Sequence, residues 1–256
     1  MIPLRDVNPR HTTPFVNYGL LFANVVVWFW QLLAAEPGTS WVVAAYGLVP
    51  ARALADPPGE AFTVLTSMFM HGGWAHLGGN MLFLYVFGDN VEDALGHKRY
   101  ITFYAVSGLG AALAQIVVDT TSAVPMVGAS GAIAGVLGAY LVLYPRAPVI
   151  VFNPILPLWF LIGVFPVFPA ALVVGEWFLW NLLGGFGSLS QASGGGVAFF
   201  AHLGGFLAGL LLVRPLMRGR SRPDSRRWEG WRNPPPPPSG GAGYGRGGGS
   251  GRSPWY

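Results

Sequence analysis

Five side chains in this sequence could take part in one chemical step. Ser130 lies in GASGAIAG, from Gly128 to Gly135; His202 lies in AHLGGFLAG; His71, His76 and Asn80 lie in HGGWAHLGGN. A neutral imidazole, with an ordinary pKa near 6.5, can accept a hydroxyl proton and return it to a leaving amine at neutral pH. A serine activated in this way is a nucleophile. Gly131 and Gly135 are four apart, as are Gly205 and Gly209, so each helix would carry a smooth face beside its polar residue. Gly128 belongs to the same packing set. Close approach of the two faces would bring the hydroxyl to the ring. The plainer alternatives are that Ser130 caps a helix N-terminus and that His202 makes an interhelical hydrogen bond.

His76 and Asn80, four apart, share a helix face and can both donate hydrogen bonds, which suits an oxyanion hole. His71 falls off that face and is expected to serve loop packing. Zinc is disfavoured, because the two histidines are five apart with no adjacent glutamate, unlike the H-E-x-x-H pattern. A soluble hydrolase would need G-x-S-x-G between a strand and a helix, but Ala132 stands where the last glycine belongs and no parallel sheet can be built from these runs.

The elements that must hold these groups lie in a lipid solvent. Of 256 residues, 52% are hydrophobic and 10% charged, far fewer charges than a soluble domain carries. There is no cysteine, which excludes disulfides and thiolate metal sites. The net charge of +4 does not point to nucleic acid, since six arginines crowd between Arg214 and Arg227, directly after an apolar segment. Anionic lipid at the membrane surface accounts for them.

A bilayer core about 30 Å thick needs roughly 20 apolar residues of helix. Six runs fit: Phe15 to Ala35, Trp74 to Ala94, Tyr100 to Val118, Ser130 to Tyr144, Pro166 to Leu183 and Val197 to Leu216. The first has no A-x-A-like cleavage site and is expected to be retained as a span. The fourth is the shortest, about 22 Å of helix at 1.5 Å per residue, so Ser130 should lie below the membrane surface, at a depth similar to His202. The stretch Ala147 to Phe165 is apolar but broken by Pro148, Pro154 and Pro157, and is expected to lie along the membrane surface.

Arg5 and Arg10, Lys98 and Arg99, Arg146 and the terminal cluster fall on one side only if the spans are even in number and both termini cytoplasmic. The sequence therefore predicts an all-α polytopic membrane protein of six spans in the cell membrane. Residues 1–14 form its cytoplasmic N-terminus, 15–217 the six-span domain, and 218–256 an Arg/Pro/Gly-rich cytoplasmic tail expected to be disordered. The connection from Glu36 to Gly73 is long enough to be functional.

With these residues in view, the chain from about Thr66 to Gly209 resembles the rhomboid family of intramembrane serine proteases. The pattern H-x4-H-x3-N is met by His71, His76 and Asn80; G-x-S-G-x3-G by Gly128, Ser130, Gly131 and Gly135; A-H-x2-G by Ala201, His202 and Gly205. The run FGDNVEDALG, Phe87 to Gly96, is also similar to the family's second-span exit. The resemblance implies a six-transmembrane-helix bundle with a short fourth helix, a Ser130–His202 dyad without a third acidic member, and an oxyanion hole from His76, Asn80 and the backbone N–H of Ser130. It implies no cofactor and, as partners, the lipid bilayer and single-span membrane protein substrates, cut in or near the outer leaflet beside a small P1 residue. Catalytically silent relatives that bind client proteins usually lack the serine or the histidine, and a transporter would need intramembrane charge pairs or broken helices. Three positions depart from the family pattern: Phe62 and Thr63 replace a Trp-Arg pair, Ala134 replaces an aromatic under the histidine, and Glu176 sits in the fifth span. For Glu176 a structural hydrogen bond is expected.

Overall fold

The computed structural model describes residues 1–34, 41–189 and 199–220. Beyond Arg220 the expected tail lies outside the described residues, as do Ala35 to Ser40 and Val197. Six long helices follow in chain order: α1 (Phe15–Ala34), α2 (Trp74–Leu95), α3 (His97–Val118), α4 (Ser130–Leu143), α5 (Ala170–Leu189) and α6 (Phe199–Leu216).

Three of the helices found, α1, α3 and α6, are long and apolar enough to cross a membrane. α4 and the first part of α5 are shorter apolar helices. α2 has the length, at 22 residues, but carries Asp89, Glu92 and Asp93 in its last two turns. Side chains such as Phe22, Leu33, Val117 and Leu211 are more than 70% exposed on the bundle's outside, where an aqueous solvent would make them costly and lipid does not.

α4 is the central helix, with its small and branched residues from Gly131 to Tyr140 all buried. Its 14 residues span about 21 Å. Glycine lets its neighbours come close. A methyl group added at Gly205 or Gly209 of α6 would stand 1.9 or 2.0 Å from the carbonyl oxygens of Gly131 and Gly135, and one at Gly138 would stand 2.4 Å from that of Phe206. Backbone thus packs on backbone, and this contact fixes the separation of α4 and α6.

Each break in the bundle has a local cause. α2 ends at Gly96, whose φ of +76° a side chain would resist, and α3 begins at the next residue. At the start of α1 the buried Glu92 of α2 accepts from the backbone N–H groups of Val16 (3.0 Å) and Asn17 (2.7 Å) and pairs with His97 at 2.5 Å. Free donors at a helix N-terminus favour such a carboxylate. Two of the basic residues act in the same way at helix C-termini. Arg99 donates to the carbonyl of Leu216 (2.7 Å), and Arg220 to that of Ala94 (2.6 Å).

The all-helical expectation is corrected by a three-stranded antiparallel sheet, β1 (Ile2–Asp6), β2 (Pro148–Phe152) and β3 (Val167–Pro169), in the order β1-β2-β3. Ile2 pairs with Phe152 and Asp6 with Val149; Ile150 pairs with Val167. β-branched residues in PVIVF favour a strand, and its Val149 and Val151 are wholly buried. The first residues are therefore part of the fold. The apolar stretch Ala147 to Phe165 contains β2 and runs on to β3, and Phe160 within it is 98% exposed. The sheet lies at the end of α4 remote from Ser130, where Tyr140 donates to Asp6 at 2.5 Å.

Candidate active site

Ser130 is the first residue of α4. The residue in the capping position is Ala129, which offers no side-chain acceptor, so the serine is not spent on the helix end. Its Oγ is hydrogen-bonded instead to Nε2 of His202 at 2.7 Å. His202 is buried on α6, one turn before Gly205, so the glycine contact that sets the helix spacing also sets this hydrogen bond. Both residues line a cavity of about 840 Å³ between α2, α3, α4, α5 and α6.

The ring of His202 is held on two further sides. Trp177 of α5 packs on it with ring centroids 5.6 Å apart and planes tilted by 44°. This indole supplies the aromatic contact that Ala134, itself fully buried, cannot give. Nδ1 is hydrogen-bonded to Oδ1 of Asn181, also on α5. Neither Trp177 nor Asn181 was identified from the sequence.

His76 and Asn80 line the same cavity, on the wall provided by α2. Gly72 N–H donates to Nδ1 of His76 at 3.4 Å, which leaves Nε2 as the protonated, donating nitrogen. Nε2 would stand 2.6 Å from a methyl group at Gly128, a residue at φ +124°. The segment before α4 therefore needs glycine twice over, for its backbone and for the imidazole beside it. Gly128 N–H in turn donates to the carbonyl of Ser67 at 2.9 Å, which ties this segment to the first loop.

Asn80 is buried, and its Nδ2 donates to Nε2 of His71 at 3.0 Å. His71, expected to matter more to loop packing than to the chemical step, is thus also the partner of Asn80. Its own position is fixed because Nδ1 faces the Phe69 carbonyl at 3.2 Å, and Gln31 of α1 clasps its backbone at N–H (3.1 Å) and C=O (2.7 Å). An amide has two N–H groups, so Asn80 keeps one for a ligand. The N–H of Ser130, at the start of a helix, has no intrahelical acceptor, and the helix end favours negative charge there.

The departures are accounted for locally. Thr63 is buried and donates to the Glu60 carbonyl at 2.7 Å, while Phe62 is half-exposed against Tyr46. The first loop is braced by Arg52, which pairs with Glu60 at 3.0 Å and donates to the Ala44 carbonyl at 2.6 Å. Glu176 accepts two hydrogen bonds from the chain's amino terminus, at 2.9 and 3.0 Å, and does not line the cavity.

Comparison with known proteins agrees with this architecture. The rhomboid domain family model matches residues 58–219, more than half of the chain. The chain belongs to the rhomboid family. It is 31% identical over 203 residues to the mitochondrial rhomboid protein 1 of Saccharomyces cerevisiae, covering 76% of this chain and 51% of that protein. With the putative rhomboid protease YdcA of Bacillus subtilis it shares 32% over 130 residues, 50% of this chain and 61% of the relative. With the rhomboid protease AarA of Providencia stuartii it shares 27% over 207 residues, 75% and 69% of the two chains. The chain thus spans less than two thirds of the length of the first two relatives. Family and apolar helices together make this rhomboid a membrane protein.

Proposed function

We propose that the chain is an intramembrane serine endopeptidase that cuts single-span membrane proteins in or near the outer leaflet, with Ser130 as nucleophile and His202 as general base. The observation that carries this reading is the 2.7 Å hydrogen bond from Ser130 Oγ to His202 Nε2 on the wall of a cavity large enough for a peptide segment. As Oγ attacks the scissile carbonyl carbon, its proton passes to Nε2 and the carbonyl oxygen becomes an oxyanion. His76 Nε2–H, Asn80 Nδ2–H and the Ser130 N–H receive that charge. Preorganised donors act most strongly there, because the charge exists only in the transition state and intermediate. Collapse of the intermediate breaks the peptide bond, and the imidazolium gives its proton to the leaving amine. Water then attacks the acyl-enzyme with His202 again as base, which frees the new carboxylate and restores Ser130.

Six spans with a short fourth, both termini cytoplasmic and residence in the cell membrane complete the proposal. It is supported by the basic residues near the helix ends and by the sheet, which joins residues 2–6 to the end of α4 remote from the site. Relatives named as proteases favour this reading over a silent, client-binding one.

The test is cleavage of a single-span substrate with a small P1 residue by purified protein in detergent micelles. Ser130→Ala and His202→Ala should each abolish cleavage while still inserting in the membrane, since groups that act as a unit fail together. Full activity in either purified variant refutes the mechanism. Reporters fused after Lys98 and after Arg227 should report cytoplasm, and one within the Glu36 to Gly73 connection should report the outside. A tail reporting outside refutes the even span count.

A further inference from the structure

A general base works only in the right tautomer. His202 can take the Ser130 proton at Nε2 only while its own proton sits on Nδ1, and which nitrogen carries it is decided by the partner facing Nδ1. That partner is the side-chain oxygen of Asn181 on α5. Asparagine could equally present its NH2 group, which would drive the proton to Nε2 and disable the base. Here the choice is removed: Nδ2 of Asn181 donates to the Trp177 carbonyl one turn earlier, at 2.8 Å, so Oδ1 is the atom left for His202. The same turn of α5 sends the Trp177 indole onto the face of the ring. Edge and face of the imidazole are thus both fixed by residues four apart on one helix.

We propose that Asn181 is a positioning residue of the reaction, the third side chain in a Ser130–His202–Asn181 relay of hydrogen bonds. This rests on the serine protease reading above and deepens it. Asn181 touches neither substrate nor the transferred proton. It holds Nδ1–H in place in the resting enzyme and goes on accepting that N–H when the ring becomes imidazolium. A neutral amide suits this depth, because a carboxylate in an apolar bundle is costly to keep ionised.

Replacing Asn181 by Leu removes the acceptor at similar volume, while Asn181→Asp, kept neutral at this depth, offers a carbonyl oxygen to His202 and an O–H to the Trp177 carbonyl. Misplacing a catalytic group by about 1 Å commonly costs on the order of a hundredfold in rate. Asn181→Leu should therefore lower kcat about a hundredfold with KM changed less than about twofold, and should slow fluorophosphonate labelling of Ser130 in parallel. Asn181→Asp should restore kcat to within about tenfold of the native protein. A leucine variant with kcat within about twofold of native overturns the proposal, as does an aspartate variant no better than leucine. Native protein labelled with 15N-histidine gives a reading independent of any variant's folding: His202 should show a protonated Nδ1 and a bare Nε2, and the opposite tautomer overturns the proposal. If Ser130→Ala or His202→Ala stays active, the protease mechanism itself fails. If those are dead while Asn181→Leu is unimpaired, only the role of Asn181 fails.

Discussion

Gly205→Ala should abolish the proposed proteolysis through geometry alone. The added methyl would stand 1.9 Å from the Gly131 carbonyl oxygen, on backbone that cannot rotate away, whereas real contacts of this kind essentially never fall below 3.0 Å. α6 must therefore recede from α4 by about 1.1 Å at the least before the repulsion is relieved. Ser130 is next to Gly131, and His202 is one turn from Gly205, so the dyad feels nearly the whole displacement. The Oγ to Nε2 distance then grows from 2.7 Å to about 3.8 Å, beyond hydrogen-bond reach. An error of about 1 Å costs on the order of a hundredfold in rate, while overpacking costs about 1–3 kcal/mol of stability, so activity should be lost well before the fold. Cleavage of a fluorogenic single-span substrate, fluorophosphonate labelling and thermal unfolding in the same micelles separate the two effects. Gly175→Ala, with nothing within 4 Å of the new methyl, is the control and should keep kcat within about twofold. A Gly205→Ala protein with native kcat, or a control that loses as much, would refute the argument.

Asn80→Ala and His76→Ala should each lower kcat by roughly a hundred- to a thousandfold with KM little changed, leaving Ser130 able to react slowly with a fluorophosphonate; equal effects on KM and kcat would count against an oxyanion role. Because His71 acts through Asn80, His71→Ala should lower kcat, and the double variant should be no slower than Asn80→Ala alone; additive losses would show independent roles. Burial pushes the Asp6 carboxyl from 3.8 up to about 7 despite the hydrogen bond from Tyr140, with Asp89 adding to the rise. The folded protein thus holds a proton that the unfolded chain releases, so this group makes stability fall as pH rises from about 4 to about 7 and level off above. Thermal unfolding across that range should show a slope that Asp6→Asn flattens, and an unchanged slope would remove Asp6 as its source.

The helices were legible because length and hydropathy are local. Each of the six runs read from the sequence holds a helix whose ends differ by a few residues, the largest shifts being at α5, where β3 takes Val167–Pro169 and the helix runs on to Leu189. Ser130 and His202 stood out for a related reason, as polar groups beside glycine pairs in apolar surroundings. The sheet did not, because its partners lie far apart in the chain and a proline-broken apolar stretch reads equally as strand or surface helix. Asn181 is more instructive. It is an amide within an apolar run, and the rule that singled out Glu176 applied to it equally. Glu176 carries the charge, yet the structure ties it to the amino terminus and gives Asn181 to the imidazole. His71 needed a folded turn, since its contact with Asn80 runs nine residues across a helix start.

The pairing of β1 with β2 also bears on how the protein is made. At about 5–20 residues per second, a ribosome takes about 7 to 30 seconds to travel from β1 to the strand that completes it. During that interval the first strand has no partner in the sheet, and an unpaired strand edge can pair with other chains. Asp6 and Arg5 place charges on it in this period, which discourages such pairing. Only when β2 emerges behind α4 can the chain's first residues dock. Docking joins them to the helix that carries Ser130, so the sheet closes late in biogenesis, after that helix has been synthesised.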